Sequence, residues 1–190
     1  MRAVYQYLIP GMWLCWAAYW WASSRNVKQV VRHESLPSRL SHGVPMVLAG
    51  LLISVHNLPV PALRAHFIPA WPSRFVIAAV LTGAGLLFSV WARQYLGTNW
   101  SGAVTIKKGH DLVTGGPYAW VRHPIYTGLL LAILGTAVAV GEWRAIVAVA
   151  AASFALWRKL RLEEHWMIQQ FGEAYHAYRR NVRALIPWVL

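Results

Sequence analysis

This chain has few acidic groups and almost no cysteine. Its 190 residues carry six Asp and Glu against eighteen Lys and Arg, and one cysteine, Cys15. A lone thiol excludes an intrachain disulfide and a cysteine-based metal cluster. Cys15 lies inside an apolar run and is expected to be small, buried or lipid-facing. No GxGxxG follows a strand, which excludes a soluble dinucleotide-binding domain. HExxH and carboxylate–histidine pairs at i, i+4 are absent too. His110, Asp111 and His165 do not form a ligand set, so no metal site is expected. Internal repeats, low-complexity tracts and a soluble linker are also missing. Charged residues make up only 13% of the chain, about half the share of a soluble domain.

What is present is apolar and aromatic. Hydrophobic residues reach 57%, with twelve Trp and eight Tyr. One soluble core of this size cannot bury so much apolar surface, so the bilayer is the expected solvent and membrane lipids the expected surroundings. The net charge of +12 sits between long uncharged runs. That pattern fits anionic lipid headgroups, and no nucleic-acid partner is expected.

A helix needs about 20 apolar residues to span the hydrocarbon. Five segments meet or approach this: Val4 to Ala22, Val44 to Leu58, Phe75 to Leu96, Pro124 to Val140, and Ala145 to Trp157. The first lacks a cleavage box before Ser23-Ser24-Arg25 and is expected to be a retained helix. Pro59 and Pro61 are expected to end the second. The fifth is short and spans only if it tilts or if Arg144 and Arg158 snorkel outward. Spans four and five, joined at Gly141, form a tight hairpin, and the tail after Trp157 continues as a helix. The expected fold is an all-α integral membrane protein of about five transmembrane helices, with a cytoplasmic loop and C-terminal helix. It is one domain over 1–190, a transmembrane frame (1–72) followed by a core (73–190).

Alternate loops divide the Lys and Arg fourteen to four. By the positive-inside rule the N-terminus lies outside and the C-terminus in the cytoplasm. The polar stretches Gly97 to His123 and beyond Trp157 then share the cytoplasmic face.

Three features there can carry chemistry. Gly115-Gly116-Pro117-Tyr118-Ala119-Trp120-Val121-Arg122-His123-Pro124-Ile125-Tyr126-Thr127-Gly128 is a turn into the fourth span. Pro124 suits the first helical position. The helix N-terminus, with Arg122 and His123, is a ready site for an anionic group. Gly128 would let a ligand approach the backbone. The same residues serve equally as a basic interface anchor. Glu163 and Glu164 flank a stripe of Leu160, Met167 and Phe171 on the tail helix. They are either a functional pair or a solvated counterweight to Arg158, Lys159 and Arg161. Phe171, Tyr175, Tyr178 and Val182 continue at helical spacing as packing. Arg93, near the end of the third span, either serves a site or snorkels. His56, inside the second span, reads as a satisfied polar residue.

The ordered set Gly97-Thr98-Asn99-Trp100-Ser101, Leu112-Val113-Thr114-Gly115-Gly116-Pro117-Tyr118, Arg122-His123-Pro124-Ile125-Tyr126-Thr127-Gly128, Glu163-Glu164, Phe171-Gly172, Tyr175, Tyr178 and Ile186-Pro187 resembles the isoprenylcysteine carboxyl methyltransferase and phospholipid methyltransferase superfamily of membrane enzymes. The resemblance covers Phe88 to Pro187. It implies S-adenosylmethionine held between the Arg-His-Pro turn and the Glu-Glu helix at the cytoplasmic face. The cofactor-binding residues it implies are His110, Leu112, Val113, Gly116, Pro117, Tyr118, Val121, Arg122, His123, Tyr126, Glu163 and Glu164. The catalytic set is Arg93, Glu163 and Glu164, with Arg93 orienting a carboxylate acceptor. The implied partner is a lipophilic or prenylated methyl acceptor. Phospholipid, amine or thiol methylation, an NADPH-dependent sterol-type reductase and a non-enzymatic membrane protein remain alternatives. The oligomeric state is not legible.

Overall fold

The structure is a computed structural model, and it describes residues 4–25, 30–55, 57–69, 71–100, 105–107 and 111–187. A π-helical turn, Val4–Leu8, leads into α1 (Ile9–Ser23). Next come β1 (Val30–His33), α2 (Leu36–Ser54), the short α3 (Pro61–Arg64) and α4 (Pro72–Leu96). After β2 (Thr105–Lys107) follow α5 (Pro124–Val140), α6 (Trp143–Phe171) and α7 (Glu173–Asn181). Apart from an antiparallel two-stranded ribbon of β1 and β2, the regular structure among the described residues is helical. The all-α expectation holds for the fold, with this short ribbon as its one addition among the described residues. Helices α1 to α5 each carry proline in their first two positions, where no intrahelical N–H bond is lost.

The α5 bounds fall where the sequence places them. α2 begins earlier and ends earlier than expected, at Ser54, and accommodates Pro45 in its interior. The fifth segment and the tail form one 29-residue helix, α6. Gly141, at φ 65°, turns α5 into α6. Gly172, at φ 54°, breaks the helical run expected through Tyr175 and Tyr178. By length and composition α2 and α4 can cross a membrane, and α5 is a shorter apolar helix.

Two close helix pairs, α4–α5 and α2–α6, make the frame. Small residues set the first. A Cβ on Gly128 would sit 2.5 Å from the Gly85 carbonyl and 2.8 Å from the Ser89 nitrogen. Gly128 therefore serves helix packing, which corrects its reading as a ligand approach. Ala49, Ala148 and Ala152 play the same part between α2 and α6. α1 is pinned by indole hydrogen bonds: Trp16 Nε1 donates to Ser89 Oγ at 2.8 Å and Trp13 Nε1 to Thr136 Oγ1 at 3.1 Å. Such bonds hold helices together where apolar burial against lipid gains little.

Arg144 does not snorkel. It is 1% exposed, and its Nη1 donates to the carbonyls of Leu52, Ile53 and Val55 at 2.8, 3.0 and 2.6 Å. It thereby neutralises the C-terminal end of α2, while Nε pairs with Glu142 at 2.6 Å. Arg74 caps α5 in the same way, donating to the Ala139 carbonyl at 3.2 Å. Cys15 is exposed on α1.

Candidate active site

At the opposite end of the bundle, the turn before α5 meets the far half of α6. Pro117 and Tyr118 are buried in a 3-10 turn (Gly116–Ala119). Gly116 has φ +57°, and a Cβ there would strike the Tyr95 ring at 2.5 Å. Only glycine lets this loop lie flat on Tyr95. Downstream, the segment after α7 pairs with the turn: Arg122 N–H donates to the Arg183 carbonyl at 2.8 Å and His123 N–H to the Ala184 carbonyl at 3.0 Å. Thr127 Oγ1 donates to the Leu185 carbonyl at 2.7 Å, and Tyr178 Oη to the Tyr118 carbonyl at 2.5 Å.

This scaffold aims two cations and a phenol at the two glutamates. Arg122 Nε donates to Glu164 Oε1 at 2.7 Å, with Nη2 at 2.5 Å from the same oxygen. Its Nη1 donates to the Val182 carbonyl. His123 stands between the pair, Nδ1 3.5 Å from Glu163 and Nε2 3.5 Å from Glu164. Tyr126 Oη donates to Glu163 Oε1 at 2.5 Å, and its ring stacks on His123 with centroids 5.4 Å apart. Arg179 Nε closes the ring at 3.4 Å from Glu164. The counterweight reading of Glu163 and Glu164 therefore gives way, since both carboxylates turn inward.

Burial alone would lower the His123 pKa, but hydrogen bonds and charge from both glutamates outweigh it and raise it. Burial raises Glu163 and Glu164, yet His123 pulls both down, with Lys159 and Tyr126 helping at Glu163 and Arg122 at Glu164. Glu164 falls to about 2. Both glutamates are thus held as carboxylates, and the pair in turn favours the charged form of His123, the mutual compensation that buried ionisable groups require.

A cavity of about 1530 Å³ opens beside this ring. Leu112, Val113, Tyr118, Arg122, His123, Tyr126 and Glu163 line it. Gly116, Pro117, Val121 and Glu164 are not among its lining residues and support those that are. Arg93 is not brought there either. Its Nη1 donates to the Gly97 carbonyl at 2.7 Å, Nη2 to the Ser23 carbonyl at 2.6 Å, and it stacks over Trp100. It ties the end of α1 to the end of α4. His110 and His56 lie outside the described residues. Sequence reasoning missed Asn99 and Gln170 as site residues. Both line the cavity, and Asn99 Oδ1 and Gln170 Oε1 are buried without a hydrogen-bond partner among the described residues. Nothing in the sequence near Gln170 marks it.

A sequence model of the phospholipid methyltransferase family matches residues 73–174, more than half of the chain. The chain belongs to this family. It is 37% identical over 86 residues to the protein-S-isoprenylcysteine O-methyltransferase of Schizosaccharomyces pombe, covering 43% of this chain and 35% of that protein. Identity is 30% over 135 residues to protein-S-isoprenylcysteine O-methyltransferase B of Arabidopsis thaliana, 68% of this chain and 64% of that one. The cobalt-zinc-cadmium resistance protein CzcN of Cupriavidus metallidurans is 32% identical over 157 residues, 73% of this chain and 70% of that protein. The matches span less than two thirds of either methyltransferase. The phospholipid methyltransferase match takes in α4, the Arg-His-Pro turn, α5 and α6, and so both halves of the charged ring. It leaves out α1 and α2, the other wall of the cavity.

Proposed function

We propose that this chain is an integral membrane enzyme that transfers a methyl group from S-adenosylmethionine to the carboxylate of a lipophilic, isoprenylcysteine-type acceptor. One observation carries this reading. A charged ring built from the Arg122-His123 turn and Glu163-Glu164 stands at one end of a cavity whose remaining wall, along α1 and α2, is largely apolar. A charged, water-soluble donor and an oily acceptor need such a two-sided chamber.

The residues present fit the donor. Asn99 Oδ1 and Gln170 Oε1 are orphaned buried acceptors, suited to the amino and hydroxyl groups of an adenosine. Leu112 and Val113 offer apolar contact to its base. Glu163 suits an ammonium, and Arg122 and His123 a carboxylate. When bound, S-adenosylmethionine supplies an electrophilic methyl group on a sulfonium. The chain's own contribution is positioning and water exclusion, which this reaction needs more than proton transfer. A carboxylate acceptor is already a nucleophile at neutral pH. Arg122 and Glu164 lock the turn, Tyr126 and His123 fix Glu163, and α1 and α2 keep water from the chamber.

The same reading takes α1, α2, α4, α5 and the first half of α6 as five spans. The fourteen-to-four partition of Lys and Arg places the N-terminus outside and the charged ring at the cytoplasmic face. The whole chain is one domain, with the frame up to residue 72 supplying the acceptor's side. Arg93, on α4, ties that frame to the core by joining the ends of α1 and α4.

The test is transfer of a radiolabelled methyl group from S-adenosylmethionine to N-acetyl-S-farnesylcysteine by the purified protein in detergent. Base-labile label in the organic phase, the mark of a methyl ester, is expected. Label that resists base, or none, would overturn carboxyl methylation.

A further inference from the structure

A second polar group stands in the cavity, at the start of α2 and just before it, outside the stretch matched by the family. Glu34 and His42 both line the chamber. His42 Nε2 lies 3.6 Å from Glu34 Oε1, with the Glu34 side chain fully buried and that of His42 nine-tenths buried. Ser38 Oγ donates to the other Glu34 oxygen at 3.1 Å and fixes the carboxylate. Glu34 thus faces one ring nitrogen at ion-pair distance. The other, Nδ1, is buried and has no hydrogen-bond partner among the described residues. A buried polar nitrogen left this way is costly, and in a binding chamber a ligand is the natural completion.

The surroundings decide the sign of that ligand. The charged groups acting on His42 are Glu34, from the segment between β1 and α2, and Lys159, Arg158 and Glu163 from α6. Arg39, one turn before His42, lines the same chamber. Of the two carboxylates, Glu163 is already engaged by Tyr126 and His123, and Glu34 by Ser38 and His42. Two cations, Arg39 and Lys159, line the chamber together with His42. Lys159 also lies over the Tyr126 ring, 5.6 Å from its centroid, which connects this group to the charged ring.

The geometry points to His42, oriented by Glu34 and assisted by Lys159, as the anchor for the acceptor's carboxylate, the ring taking up a solvent proton as the anion binds so that Glu34 and the acceptor each face an N–H. This rests on the methyl-transfer reading and deepens it. It moves the acceptor contact expected at Arg93 to the opposite wall, onto the helix least constrained by the family match. Glu34 is a positioning residue that acts through the imidazole. An amine or thiol acceptor would instead use His42 as a base, and the two roles separate kinetically.

The experiment measures N-acetyl-S-farnesylcysteine as substrate and its carboxamide as competitive inhibitor, with S-adenosylhomocysteine affinity recorded for every variant. Wild type is expected to prefer the carboxylate to the carboxamide by roughly tenfold or more. His42→Ala erases that preference and raises KM by a similar factor, with a smaller change in kcat. His42→Gln, which keeps an N–H donor, restores part of it, and Glu34→Gln loses part. S-adenosylhomocysteine affinity stays at the wild-type value in all three, which shows that the donor site is intact. An undiminished carboxylate preference in His42→Ala would overturn the anchor. So would a fall in kcat at constant KM together with loss of the acid limb of the pH–rate profile, which marks a base. Absence of S-adenosylhomocysteine binding in the wild type would instead overturn the methyl-transfer reading itself.

Discussion

Replacing Glu164 by alanine is expected to abolish donor binding and to lower the melting temperature in detergent by about 10 °C. Glu164 is 4% exposed and receives Arg122, His123 and Arg179. Its removal leaves two buried cations facing each other. Breaking a buried pair by deleting one partner costs about 3–5 kcal/mol, and for a chain of this size each kcal/mol moves the midpoint by about 2–4 °C. Glu164→Gln keeps an acceptor oxygen and falls between. Glu173→Gln, which removes an exposed partner of Arg180, is the control and leaves both readouts unchanged.

The same ring sets a pH dependence. Glu164 is lowered from 4.5 to about 2, so its contribution is complete above the ordinary carboxylate value and is lost progressively as pH falls from there to about 2. His123 is raised above 6.5. Its contribution is complete below 6.5 and fades as pH climbs through the raised value. Wild-type stability therefore declines on the alkaline side. In Glu164→Ala, where His123 loses a carboxylate, that decline is smaller and is complete at lower pH, and melting curves from acid through pH 9 read both limbs.

The second large effect belongs to α4–α5. Gly128→Val is expected to yield no monodisperse protein on size-exclusion chromatography. The neighbours that a Cβ would meet are backbone atoms, the Gly85 carbonyl at 2.5 Å and the Ser89 nitrogen at 2.8 Å. Backbone cannot swing aside like a side chain, so the helices must separate along their length. Separation would also loosen the Trp16–Ser89 bond that pins α1. Overpacking a flexible core site typically costs about 1–3 kcal/mol, and a rigid helix seam exceeds that. Gly11→Ala on α1, with nothing within 4 Å, is expected to change neither the elution nor the melting temperature.

These examples show what a linear chain discloses. The α5 helix was legible because Pro124 and Gly141 mark its ends and no charge interrupts it. Glu163 and Glu164 were legible as a pair because acidic residues are scarce and helical spacing placed them beside an apolar stripe. Periodicity assigns a residue to a face but does not name what that face meets. Gly128 therefore read as room for a ligand when it is room for α4. Arg144 read as a snorkel, although three carbonyls at the C-terminal end of α2, some ninety residues upstream, capture it, those of Leu52, Ile53 and the capping Val55. Arg93 read as a substrate contact for the same reason, since the Ser23 carbonyl is 70 residues away. Glu34 and His42 carried no signal because they lie at the start of a span, where polar residues are ordinary. The two-stranded ribbon was missed because its strands are three and four residues long and far apart in sequence.

The central claim is that the Arg122-His123 turn and Glu163-Glu164 form a donor site. Calorimetric titration of S-adenosylhomocysteine into the detergent-purified protein tests it most directly. Saturable one-to-one binding by the wild type is predicted, lost in His123→Ala and kept in His42→Ala. No binding by the wild type, or equal binding by His123→Ala, would contradict it.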